Sequence, residues 1–554
     1  MVAPALGEGR TVATAFVVEG GVSVRGERAT EWVPVKQGMA LQEGDTVKTA
    51  DDGKAALEFV DGAFVRLGRS SALTLNDIAP QGEPQVTQTT GSSYFFSRGA
   101  KHEPSIRTPL FNATIRGTEL VLVVAQDKTT LDVLHGSAKV STGTQEEVAS
   151  AGESITAKKG EPLKRTVLVQ PANAVQWMIR FPFIVTALDI APDADEECGP
   201  ACLESIRGAI ERSRGSSLYT QVERLPREVQ RAPRGVLLKS IALWSLGDKT
   251  AAFKALDAMP SRLTSRDSAL QTLLEGYSLL LGNDLRGAMA KADEADRLVP
   301  GLVNTAHLRS YARQGSGDVD GALIIAHQNR VAHPSIGALY DREAELLLSS
   351  DRAEEAQQLL AIRRADYGDR AMAAALSGFA ALSEREFDKA RDLFATAQKE
   401  DSSLALPYVG SALVSAQYRD YSDAQRSLSQ AVQLDPSVAV YRSYLGKLFF
   451  ENENSPKAIQ EFDAAVGMDP LDPTPYLYRS YARVAENDPI GALADVERSN
   501  QLNDGRAVFR SSLLVDKDTA VRSAGLARTF NELGFSQAAR LEAIKALTDD
   551  YTNY

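Results

Sequence analysis

The chain has 554 residues, which is too long for one hydrophobic core and indicates roughly three or four domains. Its hydrophobic content of 44% and charged content of 24% are those of a folded protein and exclude a disordered chain. The net charge of -12 disfavours nucleic acid as a partner, because phosphate binding requires a basic surface and no basic stripe is present. No apolar run reaches the ~18 residues that a membrane-spanning helix needs.

The first nine residues, MVAPALGEG, lack the basic and apolar regions of a secretory signal. They fit a cytosolic start. They equally fit a mature periplasmic N-terminus to which a Met has been added, and both interpretations stay open.

Residues 11–170 are rich in Val, Thr and Gly in short alternating runs, which predicts an all-β domain built as a sandwich or a stack of sheets. Asp61-Gly62 lies between two apolar alternating runs and predicts a two-residue hairpin turn. That turn places Phe59 opposite Phe64 across the ladder. Arg116 and Thr118 are predicted to shape the entry of a strand, with Gly117 supplying backbone freedom.

Four segments of this region occur in the order found in the FecR domain: GGVSVR, LQEGDTVKTADDGKAALEFVDGAFVRLGRSSALTL, IRTPLFNATIRGTELVLVV and TTLDVLHGSAKVS. Residues 17–160 resemble this domain. FecR proteins are membrane-bound regulators that relay an iron-siderophore signal to an extracytoplasmic sigma factor. The resemblance implies an extracytoplasmic location. We do not expect the anti-sigma activity, because no cytoplasmic helical segment or membrane helix precedes the domain in this sequence.

Catalytic residues are not evident. His102 and His135 are isolated, and no carboxylate, Ser or Cys arrangement accompanies them. No metal cluster or phosphate loop is recognisable either. We therefore expect a protein that is not an enzyme and needs no cofactor or metal.

Residues 171–235 form a predicted connector. Cys198 and Cys202 are close enough for a short disulfide loop in an oxidising compartment, whereas a redox pair has two intervening residues and a metal site needs two further ligands. Trp177, Phe181 and Phe183 are predicted to pack the β domain onto the first helices. This segment resembles the VQW…YP connector found where FecR domains precede tetratricopeptide (TPR) arrays.

Residues 236–554 are predicted to form an all-α solenoid, with regular repeats at about 269–504 and degenerate repeats at both ends. Seven alanines recur every 34 residues: Ala288, Ala322, Ala356, Ala390, Ala424, Ala458 and Ala492. Small residues stand twelve positions before each alanine and apolar residues four positions after it. A 34-residue period with a small residue at a helix crossing is the pattern of the TPR.

The first helix of each repeat is predicted to line a concave face that binds an extended peptide or a docked helix. The predicted partner-binding residues on that face are Tyr277, His307, Tyr311, Asp341, Glu345, Phe379, Lys447 and Tyr481. The alternative is that some of these rings cover the seams between repeats.

These features predict a non-enzymatic periplasmic scaffold, the soluble part of an outer-membrane-associated assembly or export protein. Its expected partner is a protein or peptide in the groove, with an envelope glycan or outer-membrane component as a second class. The chain stops after a predicted helix with no polar cap, so we expect a longer protein that is tethered to the outer membrane by a C-terminal region. The alternative is an envelope signalling receptor related to FecR-type sensors.

Overall fold

The computed structural model describes residues 10–76, 85–97, 105–168, 217–245, 248–259, 263–282, 284–350, 352–366, 370–436, 438–470, 472–502 and 536–549, with Ala201, Ala527 and Asn531. These residues fall into two compact units that meet between Met259 and Pro260 in the sequence. The first holds all the described strands and four helices. The second holds the remaining helices.

The strands of the first unit are β1 (Thr11–Glu19), β2 (Val22–Arg25), β3 (Val33–Pro34), β4 (Met39–Gln42), β5 (Thr46–Thr49), β6 (Lys54–Phe59), β7 (Phe64–Leu67), β8 (Ala72–Leu75), β9 (Gln85–Phe96), β10 (Ser105–Arg107), β11 (Asn112–Val124), β12 (Lys128–Ser141), β13 (Glu146–Ser150), β14 (Glu153–Lys158) and β15 (Lys164–Val167). They form one hydrogen-bonded network in the order β15-β14-β12-β11-β10-β9-β7-β6-β1-β4, from which β2, β3, β5, β8 and β13 branch. The predicted all-β domain is therefore confirmed.

The long strands pair differently along their two halves, which lets the sheet fold over its own core. Strand β9 pairs with β8 and β10 through its first half and with β7 and β11 through its second half. The change of partners occurs at Gly91, whose φ of +85° is a conformation that favours glycine. A Cβ at this position would lie 2.4 Å from the Cα of Ser71. Strand β11 changes register in the same way around Gly117, at φ +52°. This is the backbone freedom predicted for that glycine.

The hairpin at Asp61-Gly62 forms, but its predicted register is wrong by one residue. Phe64 lies opposite Glu58, and Phe59 closes the loop by hydrogen bonding to Ala63. The loop therefore has three residues, with Gly62 at φ +88° after a turn closed by its N–H to the carbonyl of Phe59.

The shift of one residue sends the two rings to opposite faces of the sheet. Phe59 enters the main core, with Val12, Leu41 and Leu57. The ring of Phe64 instead packs edge-on against Phe16, with centroids 5.8 Å apart.

In the described part of the first unit the sheet is followed by four α-helices and a 3₁₀ turn (Leu256–Ala258): α1 (Ser217–Glu223), α2 (Arg227–Arg231), α3 (Pro233–Ser245) and α4 (Lys249–Ala255). Two polar contacts join them to loops of the sheet. The hydroxyl of Thr220 donates to Asp52 over 2.6 Å, and the Arg69 guanidinium pairs with Asp248. Asp248 also accepts a hydrogen bond from the N–H of Ala251 and so caps α4. The helical pair predicted ahead of the regular repeats is thus present.

The second unit contains α5 (Ser265–Leu281), α6 (Leu285–Leu298), α7 (Val303–Gly315), α8 (Val319–Ala332), α9 (Gly337–Ser349), α10 (Ala353–Asp366), α11 (Arg370–Ser383), α12 (Phe387–Glu400), α13 (Leu406–Gln417), α14 (Tyr421–Leu434), α15 (Ala439–Glu451), α16 (Ser455–Met468), α17 (Pro473–Ala485), α18 (Pro489–Leu502) and α19 (Ser536–Asp549). From α5 to α18 they form seven pairs, each with a first and a second helix. All seven column alanines are completely buried on the second helices, which confirms the predicted helix crossings.

Two of the small residues of the first helices face rings of the second helix in the same pair. A Cβ at Gly446 would lie 2.7 Å from the Phe462 ring, and one at Gly378 would lie 2.6 Å from the Phe394 ring. Both distances are far below the 3.5–4.0 Å of a normal carbon contact. In these two repeats the small residue is therefore a steric requirement.

Candidate interaction surface of the helical repeats

The first helices of the repeats approach one another more closely than the second helices do. Helices α5 and α7 pack directly together, as do α9 and α11, α11 and α13, and α15 and α17. Among the described residues, no two second helices of neighbouring repeats make contact of that extent. The array therefore curves toward its first helices, and their outward-facing residues form its concave face.

The eight predicted partner-binding residues differ in burial. Tyr277, His307 and Phe379 are 0%, 3% and 1% exposed. Asp341 is 9% exposed. The remaining four are half-buried and keep part of their side chains on the surface: Tyr311, Glu345, Lys447 and Tyr481.

Four of these residues lie in one cluster that spans three repeats. The Tyr277 hydroxyl is hydrogen-bonded to His307 Nδ1 over 2.9 Å. The His307 ring meets Tyr311 edge-on, with centroids 4.9 Å apart. Burial, and after it the Arg342 charge, lower the pKa of His307 to about 3, so this imidazole is neutral at physiological pH.

Arg342 joins Tyr311 to Glu345 and was missed by the sequence analysis. Its guanidinium lies over the Tyr311 ring at 3.7 Å and donates to Ser310 over 3.1 Å and to Glu345 over 3.0 Å. Only 2% of its side chain is exposed. The other six repeats have Leu, Gly or Tyr at this position, so a lone arginine in that column was a signal that the sequence offered. Burial, followed by the Glu345 charge, raises the pKa of Tyr311 above its ordinary value.

Phe379 packs inside its own repeat, between the two helices of the pair α11 and α12. Its ring packs edge-on against Phe394 of α12, with centroids 5.0 Å apart. With 1% of its surface exposed, it is part of the core between these two helices.

A second, basic and aromatic cluster lies further along the array. The Lys447 ammonium donates to the Tyr478 hydroxyl over 3.1 Å and lies 4.7 Å from the centre of that ring. Tyr478 in turn meets Tyr481 edge-on at 6.2 Å. The structure therefore places Glu345 in one polar and aromatic cluster and Lys447 in another.

The other residues singled out in the sequence lie partly outside the described part of the chain. Cys198, Cys202, His102 and the aromatic residues of the connector lie outside the described residues. His135 lies opposite Glu119 in the β11–β12 ladder. Within the described ranges, no group of three or more His, Cys, Asp or Glu residues is placed to hold a metal ion. No helix in the described part of the chain is long and apolar enough to cross a membrane.

The sequence family described as FecR protein matches residues 45–139. The chain carries a FecR domain. The match covers β5 to most of β12, which confirms the FecR resemblance of this region. Among curated protein sequences, none matches the chain.

The chain is also similar to several solved helical-repeat structures. One is the Cut9–Hcn1 hetero-tetramer of the APC/C, with 16% identity, a TM-score of 0.39, and coverage of 63% of this chain and 79% of that one. A tetratricopeptide repeat protein from Parabacteroides merdae has 14% identity, a TM-score of 0.33, and coverage of 44% and 97%. MamA has 16% identity, a TM-score of 0.26, and coverage of 32% and 95%. The TPR assignment rests on the 34-residue columns and helix pairs described above.

Proposed function

We propose that this protein is a non-enzymatic scaffold of the bacterial periplasm and forms the soluble part of an outer-membrane-associated assembly or export protein. A FecR domain is an envelope module, and TPR arrays bind proteins through their first helices. The observation that carries the proposal is the concave face, where half-exposed polar and aromatic side chains stand on buried supports.

The proposed partner is an extended peptide or a helix of another protein. Glu345 offers a carboxylate beside Tyr311, and Lys447 offers an ammonium beside Tyr481 through Tyr478. Aromatic rings flanked by single charges are typical of the anchoring points of protein interfaces. Tyr277 and His307 support the ring of Tyr311 from below.

Signalling is the second candidate, and one observation favours it. The FecR domain is joined to α1 and α4 by the Asp52–Thr220 hydrogen bond and the Arg69–Asp248 pair. A ligand that moved these loops of the sheet would also move α1 and α4. This route would let a sensor domain act on the helices that follow it.

A photocrosslinking experiment in cells tests the scaffold proposal. A photoreactive phenylalanine analogue replaces Tyr481 or Glu345, and as a control Glu354, an exposed residue of the second helix α10. We expect a discrete crosslinked species from the two concave positions and none from the control. Equal crosslinking at all three positions, or none at any, would contradict concave-face binding.

Cell fractionation tests the location and the size. An antibody raised against this chain is used to locate the native protein. A species well above 59.7 kDa in the outer-membrane fraction supports the tethered scaffold. A soluble species of about that mass refutes the tether, and recovery in the cytosol refutes the periplasmic assignment.

A further inference from the structure

Polar bridges between charged or hydrogen-bonding side chains fill the grooves between successive second helices in three of the repeats. In each case a charged residue of a first helix reaches the second helix of the preceding repeat, always from the same position of the 34-residue period. The pairs are Arg309–Asp293 at 2.8 Å, Glu343–His327 at 2.9 Å and Arg479–Asp463 at 2.6 Å. These side chains occupy the groove on the outer side of the array, opposite the concave face.

Two consecutive repeats lack this bridge. At the same positions they have Ser377 with Ala361, and Ser411 with Ala395. Both positions of the bridge hold small residues in these repeats. The grooves are therefore open clefts, of about 620 Å³ over Ser377 and about 580 Å³ over Ser411. In the next repeat the groove-filling position is Leu445, which is completely buried.

The two clefts are the same feature repeated. Each residue that lines the cleft over Ser377 has a counterpart 34 residues later in the cleft over Ser411. Neighbouring helices pack about 10 Å apart, and an extended chain advances about 3.3 Å per residue. Two residues three positions apart in an extended segment therefore match the spacing of the clefts.

The cleft over Ser411 has the chemistry to hold a cationic planar group. Gln398 donates to Ser411 over 2.9 Å at its floor, and the carboxylates of Asp420 and Asp423 stand in its wall. Of the two guanidinium groups that line it, Arg391 is paired with Asp388 over 2.7 Å. The charges that remain in the lining are the carboxylates of Asp420 and Asp423 and the guanidinium of Arg426, which give the cleft a net charge of about -1.

Tyr418 stands at the rim of this cleft with 51% of its surface exposed. Its hydroxyl donates to Asp388 over 3.0 Å, and Phe387 meets its ring edge-on at 6.2 Å. The Arg391 guanidinium lies 5.8 Å from the centre of the same ring. An exposed ring that is already held by its neighbours binds another group with little further loss of entropy. Arginine stacks favourably on such a ring.

We propose that the cleft over Ser411 binds an extended segment of a partner protein and receives an arginine of that segment. The inserted arginine takes the place that Arg309 and Arg479 occupy within their own repeats. This outer surface is separate from the concave face, and the two proposals stand independently.

The decisive variants fill the cleft with larger side chains of the protein itself. Ser411→Arg with Ala395→Asp rebuilds the Arg309–Asp293 bridge at the open position, and Ser411→Leu copies Leu445 as a second filler. The matched control, Arg309→Ser with Asp293→Ala, opens a groove elsewhere and leaves this cleft intact. Circular dichroism and thermal unfolding verify that each variant folds.

A phage-displayed library of random 12-residue peptides, selected on the full chain, supplies the probe. We expect enriched peptides that contain an arginine and lose at least tenfold in affinity on both filled variants. Their affinity should be unchanged on the matched control and on the concave-face variant Glu345→Gln. Replacing the arginine of such a peptide by glutamine should weaken binding to the parent chain.

Other results would overturn the proposal. Enriched peptides that bind the filled variants as tightly as the parent chain, but not Glu345→Gln, would refute the cleft and support the concave face. Failure to enrich any peptide above the level seen on the filled variants also refutes it. A change of oligomeric mass on filling, measured by light scattering, would identify a second copy of the chain as the occupant instead.

Discussion

Replacing Gly410 by Ala tests whether repeats pack as tightly as the structure shows. A Cβ at this position of α13 would lie 2.1 Å from Cζ of Phe394. Phe394 is completely buried and meets Phe379 edge-on at 5.0 Å, so its ring has no open space to enter. The methyl group therefore overlaps the ring by about 1.5 Å relative to a normal carbon contact.

The cost follows from two opposing effects. Overpacking of this kind destabilises by about 3 kcal/mol. Ala is favoured over Gly inside a helix by about 1 kcal/mol, which leaves a net loss of about 2 kcal/mol. Phe394→Leu removes the overlapping atoms at a cost of about 1 kcal/mol, because Leu360 and Leu428 already occupy the equivalent position in neighbouring repeats. The double variant should then be nearly as stable as the parent chain.

Urea unfolding followed by circular dichroism measures these differences. The decisive quantity is the coupling free energy, which should be about 3 kcal/mol in favour of the double variant. Gly467→Ala is the control, because nothing lies within 4 Å of its added methyl and only the gain in helix propensity remains. Additive effects of Gly410→Ala and Phe394→Leu, or a Gly410→Ala chain as stable as its parent, would refute the close packing.

Three further predictions concern a buried ion pair, a buried imidazole and a glycine at positive φ. Arg442 and Glu461 pair over 3.2 Å with 1% of each side chain exposed, so Arg442→Met should cost about 3–5 kcal/mol in urea unfolding, whereas Met at both positions should cost far less. His307 has a pKa of about 3 against 6.5 unfolded, so the unfolded chain binds the extra proton and stability should fall as pH drops from 6.5 toward 3. His307→Gln should flatten that part of the pH profile, and an unchanged slope would contradict a neutral buried imidazole. Gly91→Ala should lower the melting temperature of the first unit, since it combines a positive φ with a contact of 2.4 Å to Ser71; an unchanged melting temperature would show that the strand bends elsewhere.

The sequence determined the repeat register because that register is a periodic and mostly local property. A small residue is needed wherever two helices cross closely, and each repeat presents this requirement 34 residues after the previous one. Ala288 and Ala492 are therefore buried in the same way, although they lie at opposite ends of the regular array. The FecR domain follows a similar rule at a turn and at a register shift, since Gly62 and Gly117 adopt a positive φ that favours glycine.

Only the tertiary structure decided how deeply each residue of the concave face is buried. Tyr277 and Lys447 occupy the same position of the period, yet the first is fully buried and the second is half-buried. The period specifies the direction in which a side chain leaves its helix. Its depth depends on the neighbouring repeat, which supplies His307 against Tyr277 and Tyr478 beside Lys447.

The same distinction explains the hairpin and the outer clefts. Asp61-Gly62 marks a turn, but the length of the loop depends on which face of the sheet buries Phe59, and that face is set by distant strands. The cleft over Ser411 exists because Ala395, on a different helix, is small as well. Such features arise from pairs of residues that are distant in sequence, so patterns along the chain specify the frame while side-chain packing across it specifies the surfaces.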